Sequence, residues 1–190
     1  TAGLHKRNGF YDIIPVMDCR ITDEDFRQIL SFTQMYFRTQ NVPFYHKLKH
    51  EGILRHLLVR KGLRTGEIMV GLVTASGAPD LTQYMETLRS LNLQGELVSV
   101  LHMINDNIAD TVRADRIEVL YGRDYIYEEL LGLRFRITPF SFFQTNTYGA
   151  EVLYDTVRGY LGTTQDKEVY DLYSGTGTIA QVLAPAAKKI

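Results

Sequence analysis

Asp171-Leu-Tyr-Ser-Gly-Thr-Gly-Thr-Ile-Ala180 limits the fold of this chain more than any other stretch. Val169 to Tyr173 reads as a short buried strand, Gly175 and Gly177 as a tight turn, and Ile179 to Ala187 as the start of a helix. Glycine admits φ > 0 and lets a ligand approach the backbone closely, and the first turn of a helix carries unpaired N–H groups. Strand, glycine turn and helix together read as a nucleotide-cofactor loop. A domain built on such a loop needs further strands, and only ten residues follow Ala180. The chain is therefore expected to be a fragment cut inside its catalytic domain, and the absence of an initiator Met is consistent with a cut upstream as well.

The rest of the chain is of a different kind. Phe10 to Val16 reads as a strand, Ile21 to Asp25 as a helix start with Thr22 as N-cap, and Phe26, Ile29, Leu30, Thr33 and Phe37 recur at helical spacing. Leu54 to Lys61 and Glu67 to Val73 read as paired strands around a Gly62–Gly66 turn. Leu81 to Leu91 is a second helix, Glu96 to Ile104 a strand, and 117–121, 125–130 and 134–137 are further short strands. Tyr148 to Leu161 is a helix with Ala150, Leu153, Tyr154, Val157 and Leu161 on one face. This order predicts an α+β domain over residues 1–138, followed over 139–190 by the truncated start of a doubly wound, Rossmann-like α/β domain.

Composition narrows the surroundings rather than the fold. A net charge of −1 announces no global nucleic-acid field. One Cys in 190 residues precludes a disulfide framework and fits a reducing compartment. No apolar run approaches a membrane span, and Thr1-Ala-Gly-Leu-His-Lys-Arg7 lacks a signal-peptide core. A monomer in the cytoplasm, with no membrane partner, is expected. Charge is uneven, however: between His46 and Arg64, Lys47, Lys49, Arg55, Arg60, Lys61 and Arg64 face Glu51 alone, whereas seven acids crowd 105–130. The basic hairpin is either a solvated face or a set of phosphate contacts. His46, His50 and His56 share that region, with RNA-facing or structural roles expected rather than metal ligation.

Three ligands compete for the glycine loop. A P-loop requires Gly-Lys-Ser/Thr, and Thr178-Ile179 follows Gly177 instead. Gly175-x-Gly177-x-x-Ala180 formally fits the dinucleotide pattern, which would make an NAD(P)-dependent oxidoreductase. Asp171 stands against this, because a carboxylate repels a pyrophosphate. It suits a cationic ligand without phosphate, and S-adenosylmethionine carries an α-ammonium and a sulfonium. Tyr173 and Thr178 flank the turn where they can pack on such a ligand. A structural turn without ligand, or a non-catalytic RNA-binding module built on the basic hairpin, are the remaining readings.

Ser141-Phe-Phe-Gln-Thr-Asn146, Ala150-Glu-Val-Leu-Tyr154 and Asp171-Leu-Tyr-Ser-Gly-Thr-Gly177, taken together, resemble the RNA uracil-carbon-5 methyltransferases, which make 5-methyluridine. Gly52-Ile-Leu-Arg-His56, Asn105-Asp-Asn107 and Leu120-Tyr-Gly122 extend the resemblance upstream, toward the 23S ribosomal RNA branch more than the transfer RNA branch. The resemblance implies an S-adenosylmethionine site lined by Gln144, Asp171, Tyr173, Gly175, Gly177 and Thr178, where many relatives carry Asn in place of Thr178. It implies a uracil side formed by Phe142, Phe143 and Asn146; for the two Phe residues a core role stands beside it. It also implies a thiolate that adds to carbon 6 of uracil and a Glu base, both downstream of the glycine loop; neither is in this chain, and Cys19 is not assigned as the nucleophile. Within Met17-Asp-Cys-Arg-Ile21, Cys19 instead matches the last ligand of a [4Fe–4S] cluster that some relatives hold. Such a cluster takes four Cys, so it is implied for an intact parent and not for this fragment.

Overall fold

The computed structural model describes residues 3–9, 13–14, 18–109, 111–162 and 164–190. The chain divides into two units: Thr1–Lys61 with Gly66–Ile126, and Gly62–Thr65 with Tyr127–Ile190.

The first unit opens with two antiparallel two-residue strands, β1 (Leu4–His5) and β2 (Ile13–Ile14). Most of the remaining strand expected over 10–16 lies outside the described residues. Helix α1 (Glu24–Thr39) is capped by Asp23, whose carboxylate accepts from the Asp25 N–H at 2.9 Å. The cap is thus one residue later than Thr22, because Asp23 can cap the helix and at the same time reach Lys61. Strands β3 (Leu54–Lys61) and β4 (Glu67–Thr74) pair antiparallel, with Val59 opposite Val70. After α2 (Thr82–Arg89) the chain returns as β5 (Glu96–Ile104), parallel to β4, and β6 (Arg116–Gly122) closes the sheet antiparallel to β5. The order is β3-β4-β5-β6.

The inner position of β4 explains its composition. A strand buried on both faces reads as a continuous apolar run, and Ile68, Met69, Val70, Leu72 and Val73 are all buried. Ile68, Val70 and Leu72 join Ile29, Phe37, Tyr84, Leu88 and Val100 in one core. Between α1 and α2, Phe32, Phe37 and Tyr84 stack or tilt with centroids 4.9–5.7 Å apart, each aromatic pair adding about 0.5–1.5 kcal/mol beyond its buried area. The Tyr84 hydroxyl is satisfied by Thr33 Oγ1 at 2.9 Å, and burial pushes its phenol well above the ordinary value.

In the second unit, β7 (Ile126–Leu130) and β8 (Leu133–Ile137) form a hairpin over Leu131 and Gly132, with φ of +48° and +79°. Two successive positive φ values suit a tight two-residue β-turn, and the Leu131 N–H is held by Glu151 Oε1 at 3.1 Å. Helix α3 (Thr147–Leu161) is capped by Asn146, which accepts from the Gly149 N–H at 2.9 Å. Its buried line is Thr147, Ala150 and Tyr154, while Leu153, expected on that face, is 52% exposed. The sequence then forms a parallel strand–helix–strand unit: β9 (Thr164–Glu168), α4 (Thr178–Leu183) with a 3-10 turn Ala184–Ala186, and β10 (Ala187–Lys189).

The buried strand expected over Val169–Tyr173 is not there. β9 ends at Glu168; Val169 prolongs the ladder by donating to the Lys189 carbonyl at 2.9 Å, and Tyr170, Leu172 and Tyr173 are exposed. A parallel strand is buried by neighbours and helices on both sides. Among the described residues β9 pairs with β10 alone. The helix expected over 179–187 is likewise shorter, because Pro185 turns its last residues into a 3-10 segment.

Candidate functional site

The glycine turn has the backbone its sequence demands. Tyr173, Gly175 and Gly177 all take positive φ, at +61°, +55° and +70°. A Cβ on Gly175 or Gly177 would meet nothing closer than 4.0 Å or 3.8 Å. The two glycines are therefore required by conformation, and the space in front of them is open to a ligand. Tyr173 adopts the left-handed region without that freedom, and strain of this sort gathers at functional loops; its ring is fully in solvent.

Beside the turn lies a cleft of about 300 Å³ lined by Glu168, Tyr170, Asp171, Ser174, Ala180 and Lys189, among others. Asp171 Oδ2 accepts from the Ala180 N–H at 3.2 Å, which ties the carboxylate to the first turn of α4. Asp171 Oδ1 has no donor among the described residues, so an acceptor for an ammonium or a hydroxyl remains available in the cleft. The lining carries the carboxylates of Glu168 and Asp171, the Ser174 hydroxyl and the Lys189 ammonium, and its two carboxylates suit a ligand bearing cationic and hydroxyl groups.

The Phe-Phe-Gln segment meets the glycine turn. The Thr176 hydroxyl donates to the Phe142 carbonyl at 3.3 Å and lies 2.9 Å from Thr178 Oγ1, and Thr178 is buried. Phe142 is 69% exposed, whereas Phe143 is buried against Phe135 with centroids 5.6 Å apart. Gln144 hydrogen-bonds the hydroxyl of Tyr154, whose phenol is raised by burial against that bond. Asn146 spends its side-chain oxygen on capping α3. The structure thus brings Phe142, Thr178 and the glycines together, and sets Asp171 in the adjoining cleft. The Tyr173 ring is fully exposed beside them. Thr176, the residue between the two glycines, and Ser174 were not singled out in the sequence. A hydroxyl inside a Gly-x-Gly turn is the signal that marks Thr176.

The basic hairpin does not present its cations as a set. Lys61 donates to Asp25 Oδ2 at 2.8 Å and Asp23 Oδ2 at 2.9 Å. Arg64 forms a two-point pair with Glu151, its Nε at 3.0 Å from Oε1, and stacks on Tyr148. Arg55 donates to the carbonyls of Asn105 and Asn107 at 2.7 Å and of Ala109 at 3.2 Å. At these three positions the cation meets an internal partner, since opposite charge and carbonyls that are distant in sequence fold within reach. His50 Nδ1 lies 3.3 Å from the Tyr45 hydroxyl, and His46 Nδ1 accepts from the Lys49 N–H at 3.3 Å.

Cys19 is partly exposed, and hydrogen bonds from the Thr22 side chain and from backbone lower its thiol below the ordinary value. Among the described residues no group of three or more His, Cys, Asp or Glu is placed to hold a metal. One thiolate does not make a four-Cys cluster site. No helix among the described residues is long and apolar enough to cross a membrane.

No family model matches the chain. It is 50% identical over 189 residues to an uncharacterized RNA methyltransferase of Clostridium tetani, covering 99% of this chain and 41% of that protein. It is 49% identical over 189 residues to another from Caldanaerobacter subterraneus subsp. tengcongensis, covering 99% of this chain and 42% of that protein. Among solved structures it resembles the Pyrococcus abyssi tRNA (uracil-54, C5)-methyltransferase in complex with S-adenosyl-L-homocysteine. The TM-score there is 0.76 at 29% identity, over 96% of this chain and 43% of that one. The chain thus spans about two fifths of the relatives it matches. Over its own length the chain is thus similar to proteins named as RNA methyltransferases, and its fold resembles part of a solved tRNA (uracil-54, C5)-methyltransferase.

Proposed function

We propose that the protein containing these residues transfers a methyl group from S-adenosylmethionine to carbon 5 of a uridine in RNA, 23S ribosomal RNA ahead of transfer RNA. One observation carries this reading: the Thr176–Phe142 hydrogen bond, which joins the glycine turn to the exposed aromatic segment in one unit. The solved relative, with a uracil-C5 activity and a bound S-adenosyl-L-homocysteine, supports it. On this reading residues 1–138 are a central RNA-contacting domain and 139–190 open the Rossmann-like methyl-donor domain.

The cofactor supplies an electrophilic methyl group on a sulfonium. Asp171 offers its free oxygen to the ammonium or a ribose hydroxyl, Gly175 and Gly177 leave room for close approach, and Gln144, Tyr173 and Thr178 line the rim. Phe142 presents its ring to a uracil that has left its stack, the state in which a base becomes accessible to chemistry. Phe143 and Asn146 set the position of Phe142 by packing and by fixing the start of α3. The thiolate that makes carbon 5 nucleophilic is assigned to none of these residues.

Full-length protein incubated with tritiated S-adenosylmethionine should place label in 5-methyluridine of 23S ribosomal RNA. Label in transfer RNA alone would move the substrate, and no label in uridine carbon 5 of either RNA would overturn the reading. Removing the acceptor with Asp171→Ala should weaken cofactor binding by about ten- to a hundredfold, since a hydrogen bond to a charged group contributes about 1.5–3 kcal/mol. Calorimetry giving wild-type affinity would remove Asp171 from the site.

A further inference from the structure

Arg55, Lys61 and Arg64 of the hairpin have internal partners, and a less conspicuous cation elsewhere in the first unit does not. Arg89, in the last turn of α2, is exposed, and its guanidinium carbon stands 3.9 Å from the centroid of the Tyr121 ring on β6. It has no carboxylate or carbonyl acceptor among the described residues. Arg89 and Tyr121 line a cleft of about 260 Å³ with Asn92, Gly95 and Glu96. The side chains of Asn92 and Glu96 and the hydroxyl of Tyr121 are likewise unengaged among the described residues. Although Glu96 shares the cleft with Arg89, the two form no ion pair.

We propose that this cleft in the first unit binds one nucleotide of single-stranded RNA. Arg89 takes the phosphate, and Glu96 accepts from the neighbouring ribose 2′-hydroxyl. The inference rests on the RNA reading above and gives it a contact point apart from the methyl-donor cleft. A guanidinium fork matches two phosphate oxygens, and stacking on Tyr121 holds it flat before the ligand arrives, which reduces the ordering cost of binding. A bare anion gains nothing from a carboxylate in the same cleft. A ribonucleotide does, because its 2′-hydroxyl is a donor that DNA lacks.

The test is fluorescence anisotropy of full-length protein with a uridine-containing RNA oligonucleotide and its 2′-deoxy counterpart, over a salt series. Arg89→Ala should weaken RNA binding by about tenfold and flatten the slope of log affinity against log salt by about 0.7, the value for one phosphate contact on a single strand. Arg89→Lys should restore the slope but not the full affinity. The wild type should prefer RNA to DNA, and Glu96→Ala should narrow that preference. Unchanged melting of the variants separates this from a packing effect. Wild-type affinity and slope in Arg89→Ala, or a loss of affinity with the slope intact, would overturn the phosphate contact while leaving the RNA reading standing. A wild-type protein with no salt-dependent RNA binding would overturn both.

Discussion

Asp25→Ala should lower stability by about 3–5 kcal/mol, the cost of leaving a buried charge without its partner. Asp25 is fully buried, and its carboxylate accepts from the Gln94 N–H at 2.7 Å, the Gly95 N–H at 3.0 Å and Lys61 Nζ at 2.8 Å. Truncation strands two amides and deprives Lys61, whose side chain is only 11% exposed, of its shorter partner. Asp23 remains on Lys61 at 2.9 Å, which places the expected loss toward the lower end of the range. The same contact gives a pH signature. Burial alone would raise the Asp25 carboxyl, but Lys61 and the two amides outweigh it, so the group titrates below the ordinary 3.8. A carboxyl depressed in the folded state contributes stability above its unfolded value, and that contribution is lost as pH falls through the folded value. Burial also opposes the charge on Lys61, and Asp25 and Asp23 outweigh it, so Lys61 titrates above 10.5. Its contribution is present below 10.5 and lost as pH climbs through the folded value. The wild type should therefore lose stability on both limbs, and Asp25→Ala should flatten the acid limb. Urea midpoints followed by circular dichroism across pH would show this; a loss under about 1 kcal/mol would mean that water or Asp23 replaces the partnership.

Elements whose burial is local in origin were legible in the sequence, and those that depend on distant partners were not. The strand Glu96–Ile104 has the expected bounds because its apolar run is bracketed by Gly95 and Asn105. The helix over Thr147–Leu161 was found, yet Leu153 proved exposed: Ala150 and Tyr154 lie four apart on the buried line, and Leu153 falls beside it. Thr22 and Asp23 are adjacent oxygen-bearing residues, and only Lys61, 38 positions away, distinguishes the cap. Val169–Tyr173 looked buried because all its residues but Asp171 are apolar or aromatic, but exposure is a property of the neighbours a strand has.

The site divides along the same line. The positive φ of Gly175 and Gly177 was legible because glycine is there for that purpose. The link from Thr176 to Phe142 spans 34 positions and has no local signature. The basic hairpin hides its partners for the same reason: the partner of Arg64 is Glu151, 87 positions on. A run of like charge is visible in a sequence, whereas the carboxylates that consume it are not.

Glu128 is a second buried carboxylate beside Asp25, and its removal is expected to cost about 2–3 kcal/mol, because the buried Thr147 hydroxyl left without an acceptor costs about 1–3 kcal/mol while the Leu63, Arg64 and Glu129 amides belong to exposed residues that water can reach. Glu128 is 1% exposed and accepts four hydrogen bonds: from the N–H groups of Leu63, Arg64 and Glu129 at 2.6, 3.0 and 2.9 Å, and from Thr147 Oγ1 at 2.6 Å. It holds the Gly62–Thr65 turn and the first residue of α3 to one strand. The turn leaves no slack. A Cβ on Gly62 would fall 2.2 Å from Thr65 Oγ1 and 2.5 Å from the Tyr127 carbonyl. The bond from Thr65 Oγ1 to that carbonyl, at 2.6 Å, does not involve Glu128 and would survive Glu128→Ala. Glu128→Gln keeps the shape but turns an amide NH₂ toward donors, so it should recover no more than about half of the loss. Hydrogen exchange distinguishes this from general loosening: the Leu63 and Arg64 amides should lose protection in Glu128→Ala while Ile68 and Val70 on β4 keep theirs. Retained protection at Leu63 and Arg64 would mean that the turn is held by Arg64 and Glu151 instead. Because Thr147 lies next to Asn146 and three residues after Gln144, a loosened helix start should also weaken cofactor binding in the full-length protein, a readout that a remote packing defect would not move.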